Sequence, residues 1–312
     1  MKKNIFILLT LFVLGGCGAA TATQEESSTE EATTVSIGVM PSTDNMPLIV
    51  AHKQGFDVKH GVSIELESFK SARDRDAAFQ AGAVDGINAD LVSFSTYLEG
   101  GMDIQITSST YGQFDLVATA ENQTISDLQG KDVIILKNQG PEFAVDQLLR
   151  QAVMTEADVN LVEVPQVPSR VELLQNQQAA AAILPEPFVT MTKAEGMNNL
   201  GSTRDAGINL FVLCFTTEVI NEKAEALQGM YEAYNEAVAW MKENDKEAYI
   251  QLFIDEIGFP EALKEQIEVP DYPEANQAKR EDIEMAFDWA REKGIFTLDL
   301  QAEDVLSDVY FK

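Results

Sequence analysis

Val62-Ser-Ile-Glu-Leu-Glu-Ser68 alternates apolar and polar residues with period two, the mark of a half-buried strand. The segments after it decide the architecture. Ala72 to Ala81 reads as a helix, Asp85-Gly-Ile-Asn-Ala89 as a short strand running into a turn, Leu91 to Leu98 as a helix, and Ile104 to Ser108 as a strand. Upstream, Val35 to Val39 is a β-rich start and Pro47 to Lys53 a short helix. Strands and helices in alternation predict an α/β unit with a mostly parallel sheet.

The pattern then restarts. Asp115 to Thr119, Lys131 to Leu136, Val159 to Val164 and Ala180 to Leu184 read as strands. Helices are predicted from Glu142 to Gln151, behind Gly140-Pro141, and from Ser169 to about Asn176. Ser126-Asp-Leu-Gln129 and Ser169-Arg-Val-Glu172 read as capping boxes. Leu210 to Thr216 is an apolar strand that returns the chain to the first unit. Next comes a long helix capped by Asn221, with Leu227, Tyr231, Tyr234, Val238 and Met241 at helical spacing and a break near Asn244. Tyr249 to Ile257, Ala275 to Lys293 and Glu303 to Tyr310 complete a helical C-terminal region, in which Trp240 and Trp289 read as core.

The expected organisation is lobe one, residues 35–114 and 210–312, and lobe two, residues 115–209. Two crossings join them, near Gln113 to Val117 and Asn209 to Val212. Paired crossings make a hinge, and a cleft between lobes is where ligands bind.

The N-terminus speaks to compartment. Lys2 and Lys3, the apolar run Ile5 to Leu14 and the small residues Gly15 and Gly16 have the layout of a secretory signal peptide, residues 1–16. The apolar run is too short to span a membrane. Residues 17–34 are small and polar, with Glu25, Glu26, Glu30 and Glu31, and are expected to be a flexible tether. The chain has two cysteines, Cys17 and Cys214, so with Cys17 otherwise engaged no disulfide framework is available. Cys214 lies in an apolar strand and reads as a buried thiol.

The formal net charge is −29, and loss of Lys2 and Lys3 with the leader makes the chain more acidic still. That argues against nucleic acid as a partner. His52 and His60 are apart and lack a Cys or carboxylate cluster at ligand spacing, so no metal site and no cofactor are expected.

Leu14-Gly15-Gly16-Cys17 resembles the lipobox of bacterial lipoproteins, which implies acylation (palmitate among the acyl groups) of Cys17 and a lipid anchor on the extracytoplasmic face of the cell membrane. Four further pieces resemble the substrate-binding proteins of nitrate/sulfonate/taurine-type ABC importers, a group that includes thiamine-pyrimidine binders. They are Pro47-Leu-Ile-Val-Ala-His-Lys-Gln-Gly-Phe56, Phe79-Gln-Ala-Gly-Ala-Val-Asp-Gly-Ile87, Ile125-Ser-Asp-Leu-Gln-Gly-Lys131 and Ile183-Leu-Pro-Glu-Pro-Phe188. The resemblance implies the periplasmic-binding-protein type II fold. It also implies reversible capture of a small solute without chemistry, delivery to an ABC permease and its ATPase, and a monomer. Same-fold enzymes of pyrimidine or menaquinone biosynthesis, and a sensor or adhesin lipoprotein, are the competing classes; a lipobox disfavours the cytoplasmic enzymes.

In open α/β units, ligands sit beyond the carboxyl ends of the strands, where helix N-termini offer free N–H groups. Four loops qualify: Ser42 to Met46 with Asn45 and Met46; Ser71 to Arg73; Asn88 to Asp90; and Asn138 to Glu142 with Gln139, Gly140 and Glu142. The resemblance points to the same loops, plus Glu186 and Tyr111. Ser71 and Asp90 have an alternative role as helix caps, Asn45 as a turn residue, and Glu186 as a structural group. Arg73 either pairs with Asp76 in solvent or turns inward as the best anion clamp of its lobe. Tyr111, Phe114 and Phe188 suit either ring stacking or core packing. An aliphatic sulfonate or taurine predicts Arg73 inward with helix N-termini converging. A pyrimidine-like ring predicts aromatic walls with Glu186 or Asp90 on ring nitrogens.

Overall fold

The computed structural model describes residues 32–311. The leader, Cys17 and most of the expected tether therefore lie outside the described residues. Thr33 and Thr34, expected in the tether, instead belong to the first strand, where they pair with Val62 and Ser63.

The first unit builds β1 (Thr33–Val39), α1 (Met46–Lys53), α2 (Phe56–Lys59), β2 (Val62–Ser68), α3 (Ala72–Gln80), β3 (Gly86–Asp90), α4 (Leu91–Glu99) and β4 (Ile104–Ser109). The second builds β5 (Asp115–Ala118), β6 (Asp132–Ile135), α5 (Gly140–Gln151), β7 (Asn160–Glu163), α6 (Val167–Gln175), β8 (Ala181–Leu184), α7 (Phe188–Ala194) and β9 (Asn198–Ser202). β10 (Phe211–Thr216) then re-enters the first sheet between β3 and β4, antiparallel to both. The sheet orders are β2-β1-β3-β10-β4 and β7-β6-β8-β5-β9.

This is the periplasmic-binding-protein type II architecture, two α/β units joined by two chain crossings, and it matches the expected fold. The sheets are mixed but mostly parallel, as expected: in each, four strands run one way and one runs against them. The single opposed strand lies where the chain crosses between units: β10 leads back from the second unit and is antiparallel to β3 and β4, and β5 leads into it and pairs antiparallel with β8 and β9. Helix α7 and edge strand β9 were not expected from the sequence.

The remaining helices are α8 (Thr217–Glu222), α9 (Ala224–Glu243), α10 (Ile250–Leu252), α11 (Arg280–Glu292) and α12 (Ala302–Val305). Leu227, Met230, Tyr231, Tyr234, Val238 and Met241 form the buried face of α9 and pack with β1, β2 and α1. Burying such side chains is worth about 1.5–3 kcal/mol each. Helix α11 lies on α4, with Phe287 stacked on Phe94 at 6.4 Å. Its Trp289 is buried and meets Phe143 of α5 edge-on at 5.6 Å, so one core runs across both units. Trp240 is half-buried at the margin of the other core.

Several boundaries differ from expectation. Asn221 lies inside α8, which Thr216 caps, and α9 starts after a break at Lys223. Helix α11 begins at Arg280 rather than Ala275; the N–H of Ala275 donates to Asn235 Oδ1 and the Asn276 carbonyl accepts from Ser109 N–H instead of closing a helical turn. The last helix covers only Ala302–Val305, and Leu306 then bridges to Ile106. The box expected at Ser126 is formed instead by Thr124 and Asp127. Helix α6 begins at Val167 with Pro168 in its first turn, so Ser169 is inside the helix and caps nothing. No helix among the described residues is long and apolar enough to cross a membrane.

Candidate functional site

The carboxyl ends of the parallel strands of both sheets face one cavity. β1 runs into Met40, Pro41, Ser42 and Asp44; β3 ends on Asn88, Ala89 and Asp90; β6 leads to Leu136 and Gln139; β7 leads to Pro165 and Val167; β8 leads to Pro185. Phe114 and Phe211, one from each crossing, form an aromatic wall with their rings 4.8 Å apart. The room open to the centres of water-sized spheres is about 70 Å³, where one water needs only ~15 Å³.

The crossings are tied together. Thr110 N–H donates to the Phe211 carbonyl at 2.9 Å and Asn209 Nδ2 to the Thr110 carbonyl at 2.9 Å. Phe114 N–H donates to Thr203 Oγ1, and Thr203 N–H returns a bond to the Phe114 carbonyl. Arg204 lies over the Tyr111 ring, 4.1 Å from its centroid, and donates to the Tyr111 carbonyl.

Four charged side chains line the cavity: Asp44, Arg75, Asp90 and Arg170. Arg75 is buried and fully engaged. Its Nε and Nη2 donate to Asp76 Oδ1 at 2.9 and 2.7 Å, Nη1 donates to the Asn88 carbonyl, and Nη2 reaches Tyr97 Oη at 3.3 Å. Burial works against its charge, but Tyr97 and Asp76 together outweigh that and push its pKa up.

Asp90 caps α4 through Ser93 N–H at 2.8 Å, accepts from Ser93 Oγ at 2.7 Å, and also accepts the N–H of Gly140 at 2.9 Å. Two helix N-termini, one from each unit, thus converge on one protein carboxylate. Burial pushes the Asp90 pKa up despite these bonds.

Arg170 on α6 is 2% exposed. It donates only to backbone carbonyls: Nε to Val164 at 2.8 Å, Nη1 to Ile183 at 3.1 Å and Nη2 to Pro165 at 3.3 Å. No carboxylate among the described residues pairs with it. Burial lowers its pKa to about 10, so it remains charged at neutral pH.

Asp44 is 1% exposed. Its Oδ2 accepts from Asn88 Nδ2 at 2.7 Å and Thr110 Oγ1 at 2.9 Å. No donor among the described residues reaches its Oδ1.

Of the residues singled out from sequence, Asn88, Asp90 and Gln139 line the cavity, and Gly140 stands behind Asp90. Asn45 holds its own turn, with Nδ2 on the Met40 and Ser42 carbonyls, and accepts from Asn88. Met46 is buried in the core that contains α9. Ser71 caps α3, and Arg73 is exposed in a separate outer groove with Ser71, Asp74 and Gln166. Arg73 therefore does not line the cavity; Arg75 of the same helix does, and it, not Arg73, pairs with Asp76. Tyr111 sits under Arg204 in the crossing. Glu142 accepts from Lys293 Nζ at 2.9 Å and from Asn138 N–H. Glu186 accepts Thr190 N–H at 3.0 Å and Thr190 Oγ1 at 2.9 Å, and burial raises its pKa.

Asp44, Arg75 and Arg170 were missed as site residues. For the arginines a signal existed. Arg75 lies four residues before Phe79, and Arg170 four before Leu174, so each shares a helix face with a core residue.

Known proteins share this architecture. The model of the NMT1-like family matches residues 28–254. A putative ABC transporter periplasmic binding protein of Brachyspira hyodysenteriae is 23% identical over 255 residues, covering 75% of this chain and 71% of its own. The alkanesulfonate-binding protein SsuA of Xanthomonas axonopodis pv. citri, solved bound to MOPS, superposes with a TM-score of 0.74 at 14% identity, covering 89% of this chain and 99% of that one. The desulfurization enzyme DszB has the same fold, with a TM-score of 0.65 at 11% identity over 88% of this chain and 96% of that one.

Proposed function

The chain belongs to the NMT1-like family, and on that premise we propose that it is an extracytoplasmic solute-binding protein of an ABC importer. One observation carries the reading: a single cavity is walled by strand ends of both sheets and by both crossings. A solute seated there touches both units at once and favours their joined arrangement, by as much as it prefers that arrangement to the parted one. An importer's permease then has a shape to recognise. The Brachyspira relative, described as a periplasmic binding protein, supports this class.

In this reading residues 35–114 with 210–312 are one hinged lobe and 115–209 the other. The protein binds and releases its solute unchanged. Cys214, the cysteine among the described residues, supports a binding role: it is buried in β10 and burial pushes its thiol pKa far up. The solute is small and organic, of the aliphatic sulfonate or taurine kind or a pyrimidine-like ring. Arg170 favours an acidic group, and Phe114 with Phe211 offers apolar surface. Acylation of Cys17 anchors the chain at the outer face of the membrane, where it acts as a monomer.

A thermal-shift screen with taurine, alkanesulfonates, nitrate and hydroxymethylpyrimidine tests the capture role, since a ligand of the folded form raises the melting temperature. A silent panel counts against it. Metabolic labelling with palmitate, lost in Cys17→Ser, tests the anchor; label retained in that variant refutes it.

A further inference from the structure

The charges on the cavity wall do not balance one another in place. Asp76 neutralises Arg75 at 2.7 Å. Asp90 is committed to Ser93 and to the N-terminus of α5. What remains is one buried carboxylate oxygen, Asp44 Oδ1, without a donor among the described residues, and one buried guanidinium, Arg170, without a carboxylate. A guanidinium has five N–H groups. Arg170 spends three on carbonyls, which leaves one on Nη1 and one on Nη2. The residues that carry these unmet groups belong to different units, Asp44 after β1 and Arg170 on α6, and both residues line the same cavity.

We propose that the solute is zwitterionic, with its cationic amine against the Asp44 carboxylate and its acid group against the Arg170 guanidinium. This deepens the solute-capture reading and rests on it. Burial makes both ends demanding, because a charged group taken from water has to be paired. A neutral ring leaves both unmet, and an alkanesulfonate without an amine sets nothing against Asp44. The geometry also assigns the acid end. The N–H of Gly140 at the α5 N-terminus is already held by Asp90, so in this arrangement an incoming anion meets Arg170 rather than that N–H. Apolar residues, Phe114, Phe211, Leu136 and Pro165 among them, suit a short hydrocarbon spacer between the two charges. Because the amine docks on one unit and the acid on the other, only a solute with both charges draws the units together through ion pairs at each end.

The test is isothermal titration of the full chain. The probes are taurine and β-alanine, which carry both charges, ethanesulfonate and propionate with the acid alone, ethylamine with the amine alone, and hydroxymethylpyrimidine. A zwitterion is expected to bind roughly 100-fold or more tightly than its single-charge analogues, as for a site whose buried polar groups are otherwise left unpaired. Asp44→Asn is expected to erase the preference for taurine over ethanesulfonate, and Arg170→Gln the preference for taurine over ethylamine. The wild-type series stands alone if either variant fails to fold. Ethanesulfonate binding as tightly as taurine, or hydroxymethylpyrimidine binding where no zwitterion does, overturns the charge assignment and leaves solute capture standing. No heat with any probe overturns both.

Discussion

The Asp90 carboxylate accepts the backbone N–H of Gly140 across the cleft at 2.9 Å, and glycine is what permits it. A Cβ at position 140 would lie 2.7 Å from Asp90 Cγ and 2.9 Å from its Cβ. Asp90 has little freedom to retreat, because Ser93 N–H and Oγ hold it from the other side. One hydrogen bond therefore sets how closely the start of α5 approaches the end of β3.

Gly140→Ala is expected to leave each unit folded but to strain their contact. Overpacking of this kind costs about 1–3 kcal/mol, and parting the units relieves it. The expected result is ligand affinity lowered by about tenfold, with a larger radius of gyration in small-angle scattering. Wild-type affinity together with wild-type scattering would show that this approach does not govern closure.

Lys293 at the end of α11 is the ionic counterpart of that contact. Its Nζ pairs with Glu142 of α5 at 2.9 Å and also with Glu156. Lys293→Met leaves two acidic groups facing each other without a cation, and is expected to cost about 1–3 kcal/mol in urea unfolding. Adding Glu142→Gln should recover part of the loss, because neighbours in one ion-pair group are not additive. Strict additivity of the two substitutions contradicts the coupling.

The pH dependence of stability is set by buried carboxyls. Asp90, Asp115, Glu186 and Asp282 all have pKa values raised by burial. A folded state that holds protons more tightly than the unfolded chain gains stability as pH falls. The gain begins at the raised folded-state values and is complete near the ordinary carboxylate value of about 4. Glu99, Asp127 and Glu236 are lowered by hydrogen bonds and lose their contribution as pH falls through their folded values, below that window. Calorimetry should find the melting temperature higher near pH ~5 than at pH ~8. A melting temperature that rises steadily over that interval sinks the prediction.

Cys214 should be inert in the folded protein. Its side chain is fully buried on β10, the strand between β3 and β4, and burial holds the thiol protonated. Iodoacetamide applied to the native chain, with peptide mass spectrometry as the readout, is expected to leave Cys214 unmodified until denaturant is added. Rapid native labelling at that peptide refutes the burial.

Much of the frame was legible in the sequence because it is written in local periodicity. The alternation at Val62 to Ser68 became β2, and the apolar spacing of Leu227, Tyr231, Tyr234, Val238 and Met241 became the buried face of α9. Pro141 marked the start of α5, as a residue with preset φ does. Helix α7 and strand β9 escaped notice because Asn198-Asn-Leu-Gly-Ser202 is half-polar; it is a strand because the free edge of β5 pairs with it.

By itself the sequence determined the order of strands and helices, the restart after Ser108 and the return at Leu210, and so the two-unit fold. Those features depend on which residues are apolar and how they are spaced. Only the tertiary structure decided which charges face the cavity. On α3, Arg73 and Arg75 are two residues apart and lie on opposite faces, each with an aspartate beside it. Packing of Phe79 into the core turned Arg75 inward and left Arg73 in water. Arg170 entered the cavity because Leu174 anchors the same face of α6, and Asp44 lost a partner for one oxygen only when Asn88 and Thr110 were brought to the other. These partners are far apart along the chain, and a pattern of neighbours cannot encode a contact made across two sheets.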